Sequence, residues 1–476
     1  MFPPSARPTR GLGFLVKLLS ALAASTIAHA HSVIHRDVAI IGGGASGLYA
    51  ALRLRQMNHS VVVVESRPEF GGHTASYTVP GTNTHINYGA QGYGGDDEAI
   101  KRFFGFYNIP IELVKLSEVG FGNTRHVDFA ASTELPDFRP DNNLTIFSQQ
   151  VHKYPRLSLD TKLPTPVPED LTLPFRDFVA KYGIQSNIYS LFFQTEGLGD
   201  LLSQTTYYVF KYLNPDYLDG QLPTSPVFYV TKNGFNQEIY LKAQADFGAD
   251  ALVSSRVTSA VRNGSGVVLT VRTPSGQKII RASKLLVTMP PTLANMRHLG
   301  LDRHEHNIFS RFQAHGWYVG LVKAEGFADR DEFVNANSDS SNYNLPQLPA
   351  LYQISPTAVK GIYLVRYGSY GYMNEQDIKS DIVATVERVR LAVLPSTAGL
   401  PPVTLLAYSS HYPFSLYVSP SDISGGFYNR LDGLQGHRDT WYTGAAFSSH
   451  TAAHVWSFTE RLLPRLFPES NMTRMY

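Results

Sequence analysis

The sequence predicts a mixed α/β fold, α+β overall: a Rossmann-like domain built from discontinuous stretches, plus a second domain with a mixed sheet and helices. Three observations predict it. A glycine-rich turn joins a short apolar strand to a helix near the start of the chain. A second β-branched run follows it, and strand-like alternation returns between residues 251 and 289 and again at the C-terminal end. With 476 residues, 43% of them hydrophobic and 17% charged, the chain has material for two or three domains and a large core.

Residues 1–30 read as a targeting leader. Arg7 and Arg10 supply a basic start, residues 18–27 are mostly apolar, and Ala28-His29-Ala30 offers a cleavage site. Lys17 keeps the apolar stretch too short for a membrane span. The expected location is the secretory pathway, secreted or lumenal, with no stable membrane insertion. Sequons at Asn58, Asn143, Asn263 and Asn471 agree with that route. A net charge of +2 with no basic block gives no sign of a nucleic-acid partner. Cysteine is absent, which excludes disulfides, thiolate zinc sites, iron–sulfur clusters and thiolate nucleophiles, and no metal-ligand set is expected.

The first element is a strand over 37–41 that runs into Gly42-Gly43-Gly44-Ala45-Ser46-Gly47. Gly42, Gly44 and Gly47 form G-x-G-x-x-G. The first permits the tight turn, the second lets backbone approach a diphosphate, and the third lets helix and strand pack closely. Amides opening the next helix, at Ala45 and Ser46, point at the phosphates. The helical pattern passes through Leu48, Ala51, Leu52 and Leu54 to a buried strand over 61–64 that ends at Glu65, placed to accept hydrogen bonds from a ribose diol. Strand, helix, strand and acid in this order specify a dinucleotide and leave FAD and NAD both open.

Further along, 96–100 starts a helix with acidic residues in its first turn. Residues 134–174 read as loop with short elements, followed by helical and aromatic segments to about 223. Strands are expected at 254–261, 266–273, 278–281 and 284–289, with Pro274-Ser275-Gly276 as a hairpin turn. More strands at 362–372 and 403–408 flank a helix over 377–394. A strand and turn at 440–444 precede a closing helix over 449–463.

The continuation Glu65-Ser66-Arg67-Pro68-Glu69-Phe70-Gly71-Gly72-His73-Thr74 resembles the E-x-R-x-x-x-G-G extension of amine-oxidase-type flavoproteins, which implies FAD, with Gly71 and Gly72 passing under its diphosphate. His73 stands where many relatives have Arg. The stretch 441–447 resembles the Y-x-G turn that closes the flavin site in that superfamily, with Gly444 at the turn and Ala445 where many relatives carry Glu. Together with Asn87-Tyr88-Gly89-Ala90-Gln91 and Ser448-Ser449-His450, these segments resemble the fungal FAD-dependent oxidoreductases of the β-cyclopiazonate dehydrogenase family. The resemblance implies noncovalent or covalent FAD (not through cysteine), two domains, and work on alkaloid or terpenoid–polyketide metabolites. It also implies a Val backbone on the adenine side, for which Val257 is the candidate.

The expected domains are 37–100, 225–300 and 420–470 for FAD, and 101–224 and 301–419 for substrate. The expected chemistry is stereospecific dehydrogenation or oxidative cyclisation of a small hydrophobic metabolite, by hydride transfer to the flavin with a base for the proton. Candidate bases are His73, His411, Tyr412 and His450, with His411-Tyr412-Pro413 preferred, and Tyr442 beside the flavin turn. No second G-x-G-x-x-G appears, which favours dioxygen or another acceptor over a stable NAD(P)H domain. An amine or amino-acid oxidase releasing peroxide, a flavin-dependent isomerase, and a non-catalytic flavin-binding protein are the alternatives.

Overall fold

A computed structural model describes residues 1, 32–95, 97–114, 123–220 and 228–467. The leader expected over 1–30 (Met1 aside), Asp96 and the Asn471 sequon lie outside them. Asn58, Asn143 and Asn263 are all exposed.

The chain opens with β1 (Ser32–Ile41), α1 (Ala45–Gln56) and β2 (Val61–Val64). β3 (Asn123–Asp128) precedes a helical stretch, after which come β4 (Ala251–Leu252), β5 (Arg256–Arg262), β6 (Val267–Thr273) and β7 (Gly276–Val287). Next are β8 (Gly316–Lys323), β9 (Asp331–Asn335), β10 (Ala350–Pro356), β11 (Ile362–Ser369), α2 (Glu375–Val393) and β12 (Thr404–Ser410). β13 (Thr440–Tyr442) and α3 (Ala452–Leu466) close the described chain.

One sheet has the order β5–β6–β7–β1–β2–β4, with β13 also paired to β7. β1 lies parallel to both β2 and β7, so its carboxyl end at Ile41 falls beside those of Val64 and Val287. The apolar run of β1 feeds two cores. Ala39 and Ile41 join Val62 and Val64 on one face, while Val38 and Ile40 join Val61 and Val63 on the other. A sheet covered on both faces requires such unbroken β-branched runs. On the second face α3 packs across α1, and the Trp456 indole N–H donates to the Ala45 carbonyl at 3.1 Å.

The other sheet has the order β12–β8–β11–β10–β9–β3, extended by Thr133–Glu134. α2 covers one face with Ile378, Ile382, Val386 and Val389. From the opposite face Leu321, Ile362 and Leu364 meet Ile86 of the first unit. Helices between residues 145 and 220 pack Phe147, Phe175, Phe178 and Phe210 into the same core as β1 and β2. No helix among the described residues is long and apolar enough to cross a membrane.

Two expectations need correction. The strands expected at 278–281 and 284–289 are one continuous strand, because β7 keeps β1 as a parallel neighbour from Lys278 to Val287. Its exposed Arg281 and Ser283 mimic a break in the hydrophobic pattern. The closing helix, expected over 449–463, runs over Ala452–Leu466, after a 3₁₀ turn at Ala445–Phe447. β3, β8, β9 and β10 were not foreseen at all.

Candidate functional site

A cleft of about 560 Å³ opens at the carboxyl ends of β1, β2 and β7, the end of a parallel sheet where ligands bind. Gly42, Gly44, Ala45, Ser46, Glu65, Ser66, Arg67, Gly71, Gly72, His73, Val257, His411, Tyr412, Gly444 and Ala445 all line it. A wider depression of about 820 Å³ lies around His35, Arg36 and Asp37, at the far end of β1 from the first turn of α1. The smaller cleft is the site, because only there do the glycine turn and a helix start converge.

Gly42 leaves β1 with φ +110°, a conformation that side chains disfavour. A Cβ on Gly47 would lie 1.9 Å from the Gly42 carbonyl, which is the tight helix–strand packing expected of the third glycine. One on Gly44 would meet the Gly72 Cα at 3.3 Å, so backbone forms this wall of the cleft. α1 has no acidic residue in its first turn. Its opening amides have no intrahelical acceptors and carry the positive end of the helix dipole, which suits a diphosphate.

Glu65 is buried at the adjoining strand end. Its Oε2 accepts from the Gly43 amide at 2.7 Å, and its Oε1 accepts from the Arg67 amide at 2.8 Å. Its carbonyl accepts from the Ser255 amide at 2.8 Å, which draws β5 and Val257 to the same end. Arg67 acts as a strut: it donates to the Gly72 carbonyl at 2.6 Å and to the Ser410 carbonyl at 2.9 Å. It therefore ties the paired-glycine turn to the segment that carries His411.

The His73 and His411 rings stack at 4.2 Å with 14° between their planes, and Phe414 tilts against His73 at 5.6 Å. His411 is 5% exposed, and its Nε2 is buried without a hydrogen-bond partner. His73 keeps accessible surface because it faces the cleft, yet the cleft is deep. Burial, then Arg67 and His450, hold its imidazole down to about 3. Burial likewise holds His450 down to about 4, and burial, then His73, hold His411 well below the usual range. Burial thus keeps all three imidazoles neutral at physiological pH.

Two catalytic candidates stand apart from the inner end of the cleft. Tyr412 turns to the rim, 37% exposed, with its ring edge-on to Tyr372 at 5.4 Å, so the preferred His411-Tyr412 pair is split between interior and mouth. Tyr442 is fully buried outside the cleft, and its hydroxyl donates to Glu305 Oε1 at 3.0 Å. Glu305 in turn pairs with Arg262 at 2.7 and 2.8 Å. Tyr442 ends β13 and its ring turns to Glu305, while Thr443 and Gly444, next in the chain, line the cleft. Asp302, Glu305 and His437 gather there too, but Asp302 caps a helix and Glu305 is committed to Arg262.

Sequence reading missed the loop after β7, where Thr288, Pro290, Asn295 and Arg297 line the cleft beyond Val257. The signal was present in Thr288-Met289-Pro290-Pro291, a loop leaving the carboxyl end of a parallel strand. Phe414 and Ala90 were missed as lining residues as well.

Residues 40–107 match the family model of the NAD(P)-binding Rossmann-like domain. The chain is 36% identical to an FAD-dependent oxidoreductase of Emericella nidulans, covering 92% of both chains. It is 29% identical to beta-cyclopiazonate dehydrogenase of Aspergillus oryzae, covering 95% of this chain and 99% of that one. Among solved structures it is similar to a CLA-producing fatty acid isomerase from P. acnes, at 18% identity and TM-score 0.69, covering 91% and 99% of the two chains.

Proposed function

As a member of the fungal FAD-dependent oxidoreductases that include beta-cyclopiazonate dehydrogenase, the chain is an FAD-dependent enzyme, and we propose that it oxidises a small hydrophobic secondary metabolite by stereospecific dehydrogenation or oxidative cyclisation. The observation that carries this reading is a single cleft that runs from Glu65, past the backbone wall of Gly44 and Gly72, to three neutral histidines. The cradle fits FAD: a side chain at position 44 would fill the phosphate passage, and the acid beyond it faces a sugar position.

When bound, FAD supplies the hydride acceptor. The protein's own part is positional and protonic. The α1 amides hold the diphosphate, Glu65 holds the adenosine sugar, and the Gly444 turn closes the cleft opposite. The partnerless Nε2 of His411 is the preferred proton acceptor at the inner end, with His73 and His450 beside it. Phe414, tilted against these rings, and Trp317 behind it favour a flat apolar substrate. Dioxygen or another acceptor completes turnover. The leader expected over 1–30 and the exposed Asn58, Asn143 and Asn263 sequons support the reading of a secreted or lumenal enzyme.

The test is anaerobic mixing of the yellow protein with metabolites from the producing culture, followed by flavin bleaching and product analysis. Bleaching that yields a product two hydrogens lighter supports the proposal. Peroxide release on simple amines, or turnover that consumes no acceptor, contradicts it.

A further inference from the structure

The start of α3 holds a line of three side chains that leads away from the cofactor cleft. Ala452 and Val455 of α3 line the cleft, and Ser449, just before the helix, is buried in the same wall. Ser449 Oγ and His454 Nδ1 lie 3.0 Å apart, and His454 Nε2 lies 2.9 Å from Asp216 Oδ2. Asp216 comes from a different helix, Pro215–Gly220. The His454 side chain is 4% exposed and that of Asp216 is 50% exposed, so the line runs from the cleft through the interior to the surface. Gly95 makes room for it, since a Cβ there would lie 3.0 Å from His454 Nε2.

The partners fix where the hydrogens sit. A carboxylate only accepts, so in the neutral ring Nε2 carries the hydrogen and Nδ1 accepts from the Ser449 hydroxyl. Ser449 Oγ also accepts from the Thr451 amide at 3.4 Å. Its hydrogen is committed, and it offers the cleft an acceptor. A proton added at Nδ1 reverses this hydrogen bond. The imidazolium then donates to Ser449 Oγ, and the hydroxyl hydrogen is free to turn to the cleft. One proton on His454 changes the cleft wall from acceptor to donor.

We propose that Ser449, His454 and Asp216 form a proton relay: it takes up one proton from the cleft as the cofactor gains negative charge, and returns it when that charge passes to the electron acceptor. In the uptake step a donor in the cleft gives its proton to Ser449 Oγ while the hydroxyl hydrogen passes to His454 Nδ1. One O–H bond forms, one O–H bond breaks and one N–H bond forms, with no electrons transferred. The return step runs the same transfers backwards. Asp216 stays ionised and holds the imidazolium, as a carboxylate behind an imidazole does. That partner sets His454 apart from His73, His411 and His450, which burial disfavours as cations. The inference rests on the FAD-dependent oxidoreductase reading. His411 remains the group proposed to meet the substrate, and the relay serves the cofactor.

Sulfite tests the relay without a substrate, because it adds to an oxidised flavin and leaves a negative charge on the ring. The FAD-loaded full-length protein is titrated with sodium sulfite at a fixed pH, and bleaching of the flavin band gives the dissociation constant. Ser449→Ala and Asp216→Asn are each expected to raise that constant about tenfold or more, with FAD content unchanged. Asp216→Asn is the sharper variant. It keeps the shape of a half-exposed side chain and removes only the charge that holds the imidazolium. A merely structural Asp216 would change Tm and leave the sulfite constant as it is. An unchanged constant in either variant overturns the proposal, as does a wild-type holoprotein that forms no sulfite adduct. A colourless wild-type protein instead strikes at the FAD reading itself.

Discussion

The Gly43 amide donates to the Glu65 carboxylate across 2.7 Å, joining the first turn of the nucleotide motif to the acid at the end of the next strand. The carboxylate therefore has two tasks. It fixes the phosphate turn through Gly43, and with its remaining lone pairs it faces the sugar position. In Glu65→Gln only one oxygen remains to accept. FAD affinity is expected to fall about tenfold or more, with the fold intact, as read by titrating apoprotein with FAD. An unchanged affinity removes Glu65 from the site.

Gly44→Val tests the backbone wall. The first carbon already reaches 3.3 Å from the Gly72 Cα, and the two methyls extend into the phosphate passage. The variant is expected to purify as a folded protein with under about a tenth of the wild-type flavin content. Gly47→Ala is different in kind: its Cβ lies 1.9 Å from the Gly42 carbonyl, so it lowers Tm as well as loading.

The Arg262–Glu305–Tyr442 cluster separates stability from catalysis. Arg262 and Glu305 have side chains with no exposed surface. Arg262→Met leaves the buried Glu305 carboxylate with Arg438, at 3.2 Å, as its remaining cation and is expected to cost up to about 3 kcal/mol, seen in thermal or denaturant melts. Tyr442→Phe removes one hydrogen bond, about 1 kcal/mol or somewhat more, and leaves kcat unchanged. A collapse of kcat in Tyr442→Phe restores the catalytic role that the structure denies it.

The buried histidines give an acid-side signature. Burial holds His315 and His450 each down to about 4, against an ordinary value of 6.5. Between those limits the unfolded chain binds protons that the folded chain refuses, so stability rises with pH. It is fully present above about 6.5 and is lost as pH falls towards about 4. Tm is expected to drop by several degrees across that window, with a smaller drop in His450→Asn. A flat Tm over the window contradicts the burial of these rings.

The sequence made the β1–α1–β2 unit legible because its signals are local: a glycine spacing, a fully apolar strand and an acid at its end. The same holds for Gly71, Gly72 and Gly444, whose turns depend on residues close by in the chain. The second sheet was legible only in part: β11 and β12 read as strands, and β3, β8, β9 and β10 did not. β3 pairs in parallel with β9, about two hundred residues later, and such a pairing leaves no local mark. Tyr442 shows the same limit at the scale of one residue. Its neighbours Thr443 and Gly444 line the cleft, but its own side chain turns to Glu305, a residue distant in the chain.

The most direct test of the central claim is the visible absorbance spectrum of the purified full-length protein, repeated after incubation with excess FAD and desalting. A diphosphate gripped by the α1 amides predicts a flavin spectrum at about one FAD per chain, lost in Gly44→Val. A correctly folded protein that stays colourless and retains no added FAD contradicts it.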